Sequence, residues 1–477
     1  ATLDIVSKLR NLNAGGATCF ASGFSEAAAE DAIGANLQEK LIEAAGDMPI
    51  LGPNCYGFLN AFDKCSIWPD QHGCREVDRG VAVLTQSSNI AINITMQNRG
   101  LPIGYMVACG NQAQTSQADI ALHLLDDPRI TSIGLHIEGF GNLRNWEKLA
   151  RKAHQKNIPI IVLKSGKSQQ AKSAAISHTA TITGSDVGAQ AFLDRLGIRR
   201  AESLPVFLEV LKLNHQFGTV ESNQIASISC SGGEAALAAD AVYGTSLVFP
   251  PLTTRQLKDL RKALGPMVAL ANPLDYHTYI WRDEPKMTAA WAAMADPKIA
   301  LTLIISDYPR SDICDQKDWN CVTGAAISAA KQTGRPYAVV ASLGELMPEN
   351  VAKKLMENGV AAVNGLDHCI QALNILTQNL PQDETPLSLP GPERTSYILN
   401  EYTAKQELAR YGISIPNGNI ISDRKSAAEK AIELGFPIAA KIMGLAHKTG
   451  SNGLALGLKS PNEVQEILPK LAAGEVL

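Results

Sequence analysis

His178 stands in SAAISHTATITGSD, residues 173–186, where every neighbour up to the closing Asp186 is a small, hydroxyl-bearing or aliphatic residue. An imidazole is a nucleophile able to carry a phosphoryl group as a covalent intermediate, and a loop of Ser, Thr, Ala and Gly sets little packing against movement between two reaction centres. A surface-loop histidine bonded to a hydroxyl is the plainer reading of the same residues. A nucleophilic ring needs its second nitrogen bonded to an acceptor that fixes the tautomer. Glu138, which ends the apolar run in LHIEGF, is the candidate acceptor, with a solvated loop carboxylate as the alternative.

A phosphoryl group also needs donors. Where a parallel strand passes into a helix, backbone N–H groups and the positive end of the helix dipole make an anion site without any special side chain. Three junctions fit: Gln86, Ser87 and Ser88 in VLTQSSNIAINI; Ser231, Gly232 and Gly233 in SISCSGGEAALAAD; and the segment around His178 that ends at Gly184. Ser and Gly at such places also serve as N-caps and tight turns, and both readings stand. Tyr276, His277, Tyr279 and Trp281 cluster at the NPLD turn. They either line a pocket, where the rings would hold an onium group by cation–π attraction, or pack a helix onto a sheet.

The elements that must hold these residues are short apolar strands alternating with helices. Residues 1–75 read as helix, strand (GATCFAS), helix and strand (MPILGPN), the back half of a nucleotide-binding type of sheet. Residues 76–218 read as a complete doubly wound unit, from GVAVLTQ through ITSIGLHIEGF and PIIVLKSG to the histidine loop, and residues 219–380 as a second, from NQIASISC to VAAVNGLDHCIQALNIL. The Pro-rich polar stretch NLPQDETPLSLPGPE places a linker at 381–395. Residues 396–477 carry too few strands for a comfortable independent fold, so that unit reads as cut short. The fold class expected is α/β, with successive doubly wound parallel sheets. The opening ATLDIVSKLRNLNAGG reads as mid-domain, with that domain's first strand expected ahead of it.

Bulk composition narrows the function classes. With 45% hydrophobic and 19% charged residues among 477, the chain is globular and too long for one core. Lys plus Arg total 43 against 47 Asp plus Glu, a net charge of -4, so nothing forces a broad basic surface for nucleic acid or an anionic membrane. No run reaches the ~18 apolar residues of a membrane span. The nine cysteines (Cys19, Cys55, Cys65, Cys74, Cys109, Cys230, Cys314, Cys321 and Cys369) form no CxxC pair and read as free thiols of a reducing cytoplasm.

Taken together and in order, several segments resemble one family, the NDP-forming acyl-CoA synthetases, relatives of succinyl-CoA synthetase and ADP-forming acetyl-CoA synthetase. GPNCYGFLN resembles the family's GPNCxG segment, TQSSNIAINI its SQSG segment, and GNQAQTSQADIALHLLDDPRITSIGLHIEGF its GN…DDP…YxEG block. SAAISHTATITGSD is similar to its phosphohistidine loop, SCSGGEAALAADA to its GGxGVLAADA helix, ANPLDYH to its NPxD turn, and AAKIMGLAHKTGSNGLALGL to the opening of its ATP-grasp domain. The resemblance implies a partial CoA-binding Rossmann-like domain at 1–75, a flavodoxin-type domain with the phosphohistidine loop at 76–218, a second at 219–380, and the N-terminal part of an ATP-grasp domain at 396–477. It implies ATP, CoA and a small carboxylic acid as substrates, with Mg2+ held by residues beyond this segment. His178 would be phosphorylated and Glu138 would orient it. His447 matches a second phosphoryl carrier, Lys441 the ATP-grasp lysine (a strand-edge lysine being its plainer reading), and Asn54, Cys55, Gly57, Gly110 and Asn111 would line the CoA and active site.

The chain departs from the family pattern at Ser88 and Ala180, each adding a Cβ where backbone approaches phosphate. Glu234 adds a carboxylate beside Gly233 and is expected to point outward or to bind a cationic part of the substrate. HKTGSNG lacks the acid and one glycine of the family's second histidine segment. With the terminal segments missing by comparison, a homo-oligomer, or a partner subunit or segment completing the ATP-grasp domain, is expected. The other readings are the synthetase-like region of a protein lysine acetyltransferase, against which a retained His178 counts, and a non-catalytic acyl-CoA sensor.

Overall fold

The computed structural model describes residues 1–29, 33–171, 184–381, 383–389, 391, 399–421, 423–443, 452–471 and 476–477. The chain divides into two compact units, Ala1–Pro386 and Leu387–Leu477.

At the N-terminus the helices Thr2–Asn11 and Ile33–Ala45 cover a two-stranded parallel sheet, β1 (Ala17–Thr18) and β2 (Ile50–Leu51). Val6, Leu41, Ala45, Met48 and Ile50 form its small core. The expected strand GATCFAS narrows to two residues. Next come β3 (Gly57–Asn60) and β4 (Cys65–Ile67), an antiparallel hairpin absent from the sequence reading. Its turn is built by the Asn60 side chain, whose Oδ1 accepts from Phe62 N and Asp63 N at 3.1 Å each.

The hairpin joins the first large sheet, made with β5 (Gly80–Thr85), β6 (Ile103–Ala108), β7 (Ile130–Ile137), β8 (Ile160–Lys164) and β9 (Arg199–Ala201), in the order β4-β3-β6-β5-β7-β8-β9. The sheet therefore runs across the 75/76 boundary read from the sequence. β5, β7 and β8 are buried at every position, as parallel strands covered on both faces must be. The second sheet, β10 (Ile225–Ser229), β11 (Leu274–Asp275), β12 (Leu301–Ile305), β13 (Tyr337–Ala341) and β14 (Ala361–Asn364), is wholly parallel, ordered β11-β10-β12-β13-β14. Numbered within each unit, both sets of five parallel strands run 2-1-3-4-5, the flavodoxin-like order, whose ligand crevice lies between the C-terminal ends of its first and third strands. Those crevices fall between β5 and β7, and between β10 and β12.

One core joins the two sheets. Val83, Ile161 and Leu163 of the first sheet cluster with Leu303, Val340 and Val363 of the second through the helices Leu204–Phe217 and Leu366–Leu376. Leu204–Phe217 is buried at nine successive positions, Val206 to Asn214, so it is a central layer and not an amphipathic surface helix. Its two buried charges, Glu209 and Lys212, lie 2.8 Å apart. Arg99 completes the group 2.7 Å from Glu209.

The second unit holds an antiparallel pair, β15 (Ile438–Lys441) and β16 (Leu454–Leu458), covered by the helices Ala427–Leu434 and Pro461–Ile467 around Ala431, Ala440, Ile442, Leu458 and Val464.

Candidate active site

The strand ends around the first crevice converge on a cavity of about 650 Å³ lined by Asn54, Cys55, Gln86, Ser87, Ser88 and Glu138 together with Ser165, Gly166 and Ala171. Six sequence-predicted residues, from three separate segments, thus share one wall. His178 and His447 lie outside the described residues, but Ser165, Gly166 and Ala171 belong to the chain that leads towards position 178.

Each wall has a local cause. β5 ends at Thr85, and Ser87 caps the helix Ser88–Thr95 by accepting from Ile90 N, so the helix opens on the cavity with its positive end inward, a favourable place for an anion. The Ser88 hydroxyl accepts from Tyr56 N at 3.1 Å and ties that opening to the Asn54–Tyr56 turn. Asn54 itself has left-handed backbone (φ 55°). Gly110 (φ 57°) packs onto this turn so closely that a Cβ there would enter the Pro53 and Asn54 carbonyl oxygens, and a Cβ at Gly57 (φ 93°) would enter the carbonyl of Ile67. Both glycines therefore shape the wall by close backbone approach and are absent from the lining. Asn111 is likewise absent: its amide nitrogen bonds Glu26, Ser25 and Gln38, and its oxygen accepts from Asn54 Nδ2 at 3.4 Å. It braces the N-terminal segment against the turn. Burial pushes the Cys55 thiol up to about 12, leaving it a protonated donor to the carbonyls of Cys19 and Leu51 and no nucleophile.

Sequence reasoning missed two residues beneath the cavity. His136, on β7, is buried, and burial holds its pKa down to about 4. Its Nδ1 lies 2.9 Å from Thr85 Oγ1 and its Nε2 2.8 Å from Ser165 Oγ. The Thr85 hydroxyl donates to Ser87 O and accepts from Ser87 N, which leaves it an acceptor for Nδ1–H; Nε2 then accepts the Ser165 hydroxyl. A neutral imidazole thereby crossbars the ends of β5, β7 and β8. The second is Lys164, 4% exposed, whose ammonium donates to the carbonyls of Glu138 (3.2 Å) and Ser165 (2.9 Å). The only sequence signal for it was a lysine closing the apolar run IIVLK. Buried Arg200 pairs with Asp186 at 2.7 Å and holds that carboxyl below its usual range.

The second crevice has the opposite electrostatics. Ser231 caps the helix Gly232–Val242 by accepting from Gly233 N at 3.2 Å, and Glu234 is half-buried there. Burial first, then Asp307 and Asp275, push its carboxyl up to about 7. The helix end already faces three carboxyls, and Ser231, Gly232 and Gly233 do not line the first cavity. The aromatic cluster divides: Tyr276 is buried in the core, Tyr279 is 62% exposed with its ring tilted on His277, and Trp281 meets Trp319 edge-on. In the second unit, Lys441 pairs with Glu401 at 2.7 Å, a carboxylate also held by Lys405. Among the described residues no group of three or more His, Cys, Asp or Glu side chains is placed to hold a metal ion, and no helix is long and apolar enough to cross a membrane.

Comparison with known proteins fits this architecture. Residues 78–214 match the succinyl-CoA ligase like flavodoxin domain, and residues 392–473 match the ATP-grasp domain. The chain resembles the NDP-forming acyl-CoA synthetase family. It is similar to a trans-feruloyl-CoA synthase from an unidentified prokaryote, 25% identical with 98% of this chain and 68% of that protein covered. It is also similar to the ADP-forming acetate–CoA ligase of Methanocaldococcus jannaschii, 26% identical over 94% of this chain and 65% of that one. It thus spans about two thirds of the length of these family members. The fold matches the solved dinucleotide-forming acetyl-coenzyme A synthetase 1 of Ca. Korarchaeum cryptofilum, in complex with phosphate and ADP, with a TM-score of 0.66 at 22% identity, covering 78% of this chain and 79% of that one.

Proposed function

We propose that the protein is an acid–CoA ligase that forms ADP, passing a phosphoryl group from ATP through His178 to a carboxylic acid. The observation that carries this reading is the cavity whose lining brings the Asn54–Tyr56 turn, the opening of the helix Ser88–Thr95 and Glu138 together with Ser165, Gly166 and Ala171. An imidazole nitrogen of His178 attacks the terminal phosphorus and ADP leaves. Glu138 accepts a hydrogen bond from the other ring nitrogen and holds the reactive tautomer. The carboxylate of the substrate then takes the phosphoryl group, giving an acyl phosphate, and the CoA thiolate attacks its carbonyl with loss of phosphate. Donor and acceptor held in line, with amides at the helix opening facing the phosphoryl oxygens, do most of the work of such transfers. Asn54 and the neighbouring turn would face CoA, and Lys441 would leave Glu401 to contact nucleotide phosphate.

The acid is a small carboxylate: relatives are named for acetate, 4-hydroxybutyrate and trans-ferulate. The test is steady-state turnover of the full-length protein with ATP, Mg2+, CoA and these three acids. ADP and acyl-CoA formed one for one support the proposal; AMP and pyrophosphate in place of ADP, or no CoA thioester with any acid, overturn it.

A further inference from the structure

We propose that Gln86 and Lys164 are positioning residues for Glu138, two buried side chains that clamp the backbone on either side of that acid and so aim its carboxyl into the cavity. The proposal rests on the reading of Glu138 as the acid that orients the phosphorylated histidine.

Gln86 read from the sequence as part of a phosphate-binding junction, and Lys164 was not singled out; both side chains engage the backbone at Glu138. Gln86 is 4% exposed, and its Oε1 accepts from Glu138 N at 2.5 Å and from Gly139 N at 3.4 Å. Two backbone donors on one amide oxygen fix which end of the side chain is oxygen. Its acceptor is therefore occupied by the backbone of the strand end beside it. From the opposite side the Lys164 ammonium, also 4% exposed, takes the carbonyl of the same residue, Glu138, and that of Ser165. The N–H and the C=O of Glu138 are thus each held by a side chain from a flanking strand: Gln86 follows β5, Lys164 ends β8, and β7 runs between them in the registers Thr85↔His136 and Ile137↔Lys164.

With both of its own backbone polar groups engaged, Glu138 cannot rotate one peptide plane without breaking a bond to a buried partner. Burying an ammonium costs several kcal/mol unless hydrogen bonds compensate it, and a Met would fill the same channel without that cost. The crossbar of Thr85, His136 and Ser165 lies between the same three strand ends, so the clamp sits on a rigid base.

The test is a set of mutant cycles on the full-length protein, reading kcat and KM of acyl-CoA synthesis for Gln86→Leu, Gln86→Glu and Lys164→Met, each in the wild-type and the Glu138→Gln backgrounds. A displacement of the acid by about 1 Å costs on the order of 100-fold. Gln86→Leu and Lys164→Met are expected to lower kcat by that order with KM for ATP and CoA unchanged. Gln86→Glu, which keeps an oxygen facing both N–H groups, is expected to recover most of the loss. In the Glu138→Gln background neither substitution should lower kcat further. Losses that multiply on top of Glu138→Gln overturn the clamp while leaving the role of Glu138 intact. Wild-type activity in Glu138→Gln alone overturns the role of Glu138 and the clamp with it. Should Lys164→Met fail to fold, the Gln86 cycle decides by the same criteria, since Gln86→Leu removes no buried charge.

Discussion

Glu209→Gln should cost more stability than removal of both charges of the pair it belongs to. Glu209 and Lys212 are both 0% exposed, on the one helix packed between the two sheets. The carboxylate is held by Arg99 at 2.7 Å and by Lys212 at 2.8 Å, and the ammonium donates further to Arg99 O at 3.0 Å and Asn364 Oδ1 at 3.1 Å. Glu209→Gln keeps the shape but leaves the ammonium with neutral partners only, a loss of about 3–5 kcal/mol for an uncompensated buried charge. Arg99 is 21% exposed and can turn to water, so it adds little. In Glu209→Leu/Lys212→Met both buried charges are gone and apolar volume replaces them; Asn364 and Arg99 O each lose a donor, at about 1–3 kcal/mol apiece, and this is offset by removing the several-kcal/mol cost of burying each ion. Urea unfolding followed by tryptophan fluorescence reads both layers, since Trp146 and Trp291 are fully buried. The double variant should unfold at higher urea than Glu209→Gln. A double variant as unstable as the sum of the two single losses would refute the reasoning.

Three other outcomes follow from the site. Because Glu234 is held up to about 7 in the folded protein against 4.5 when free, its favourable contribution is complete below about pH 4.5 and lost as pH rises through 7; Glu234→Gln should leave Tm unchanged near pH 4.5 and raise it at pH 8, and equal Tm at both pH values contradicts this. The Cys55 thiol, pushed up to about 12, holds on the order of 10⁻⁴ of its population as thiolate at pH 8, so iodoacetamide should label the exposed Cys65 and Cys314 and spare Cys55; equal labelling rates by peptide mass mapping contradict it. Gly110→Ala drives a Cβ into the Pro53 and Asn54 carbonyls and should raise KM for CoA while leaving KM for ATP in place; an unchanged KM for CoA removes this turn from the CoA wall.

What was legible in the sequence follows the range of the forces involved. Fully buried parallel strands appear as unbroken apolar runs, so β5, β7, β8 and β12 could be read from GVAVLT, ITSIGLHI, IIVLK and LTLII, and with them the strand ends that carry Gln86 and Glu138. The hairpin β3–β4 was invisible because GFLNAFDKCSI has neither a Gly-based turn signal nor a two-residue period; β4 is exposed throughout, and its turn depends on one Asn60 side chain. The roles of His136 and Lys164 depend on which residue stands beside which across neighbouring strands, a register that no local pattern encodes. Glu234 read as a surface acid because nothing in SGGEAAL says that Asp275 and Asp307, 41 and 73 residues away, stand near it.

The most direct measurement is intact mass of the full-length protein after incubation with ATP and Mg2+, followed by acid, by alkali, and by carboxylic acid plus CoA. The relay predicts one phosphate adduct, lost in acid, retained in alkali, discharged by the acid and CoA together, and absent from His178→Ala. An adduct that persists in His178→Ala, or a wild-type protein that turns over acyl-CoA without ever carrying phosphate, contradicts a histidine shuttle at this cavity.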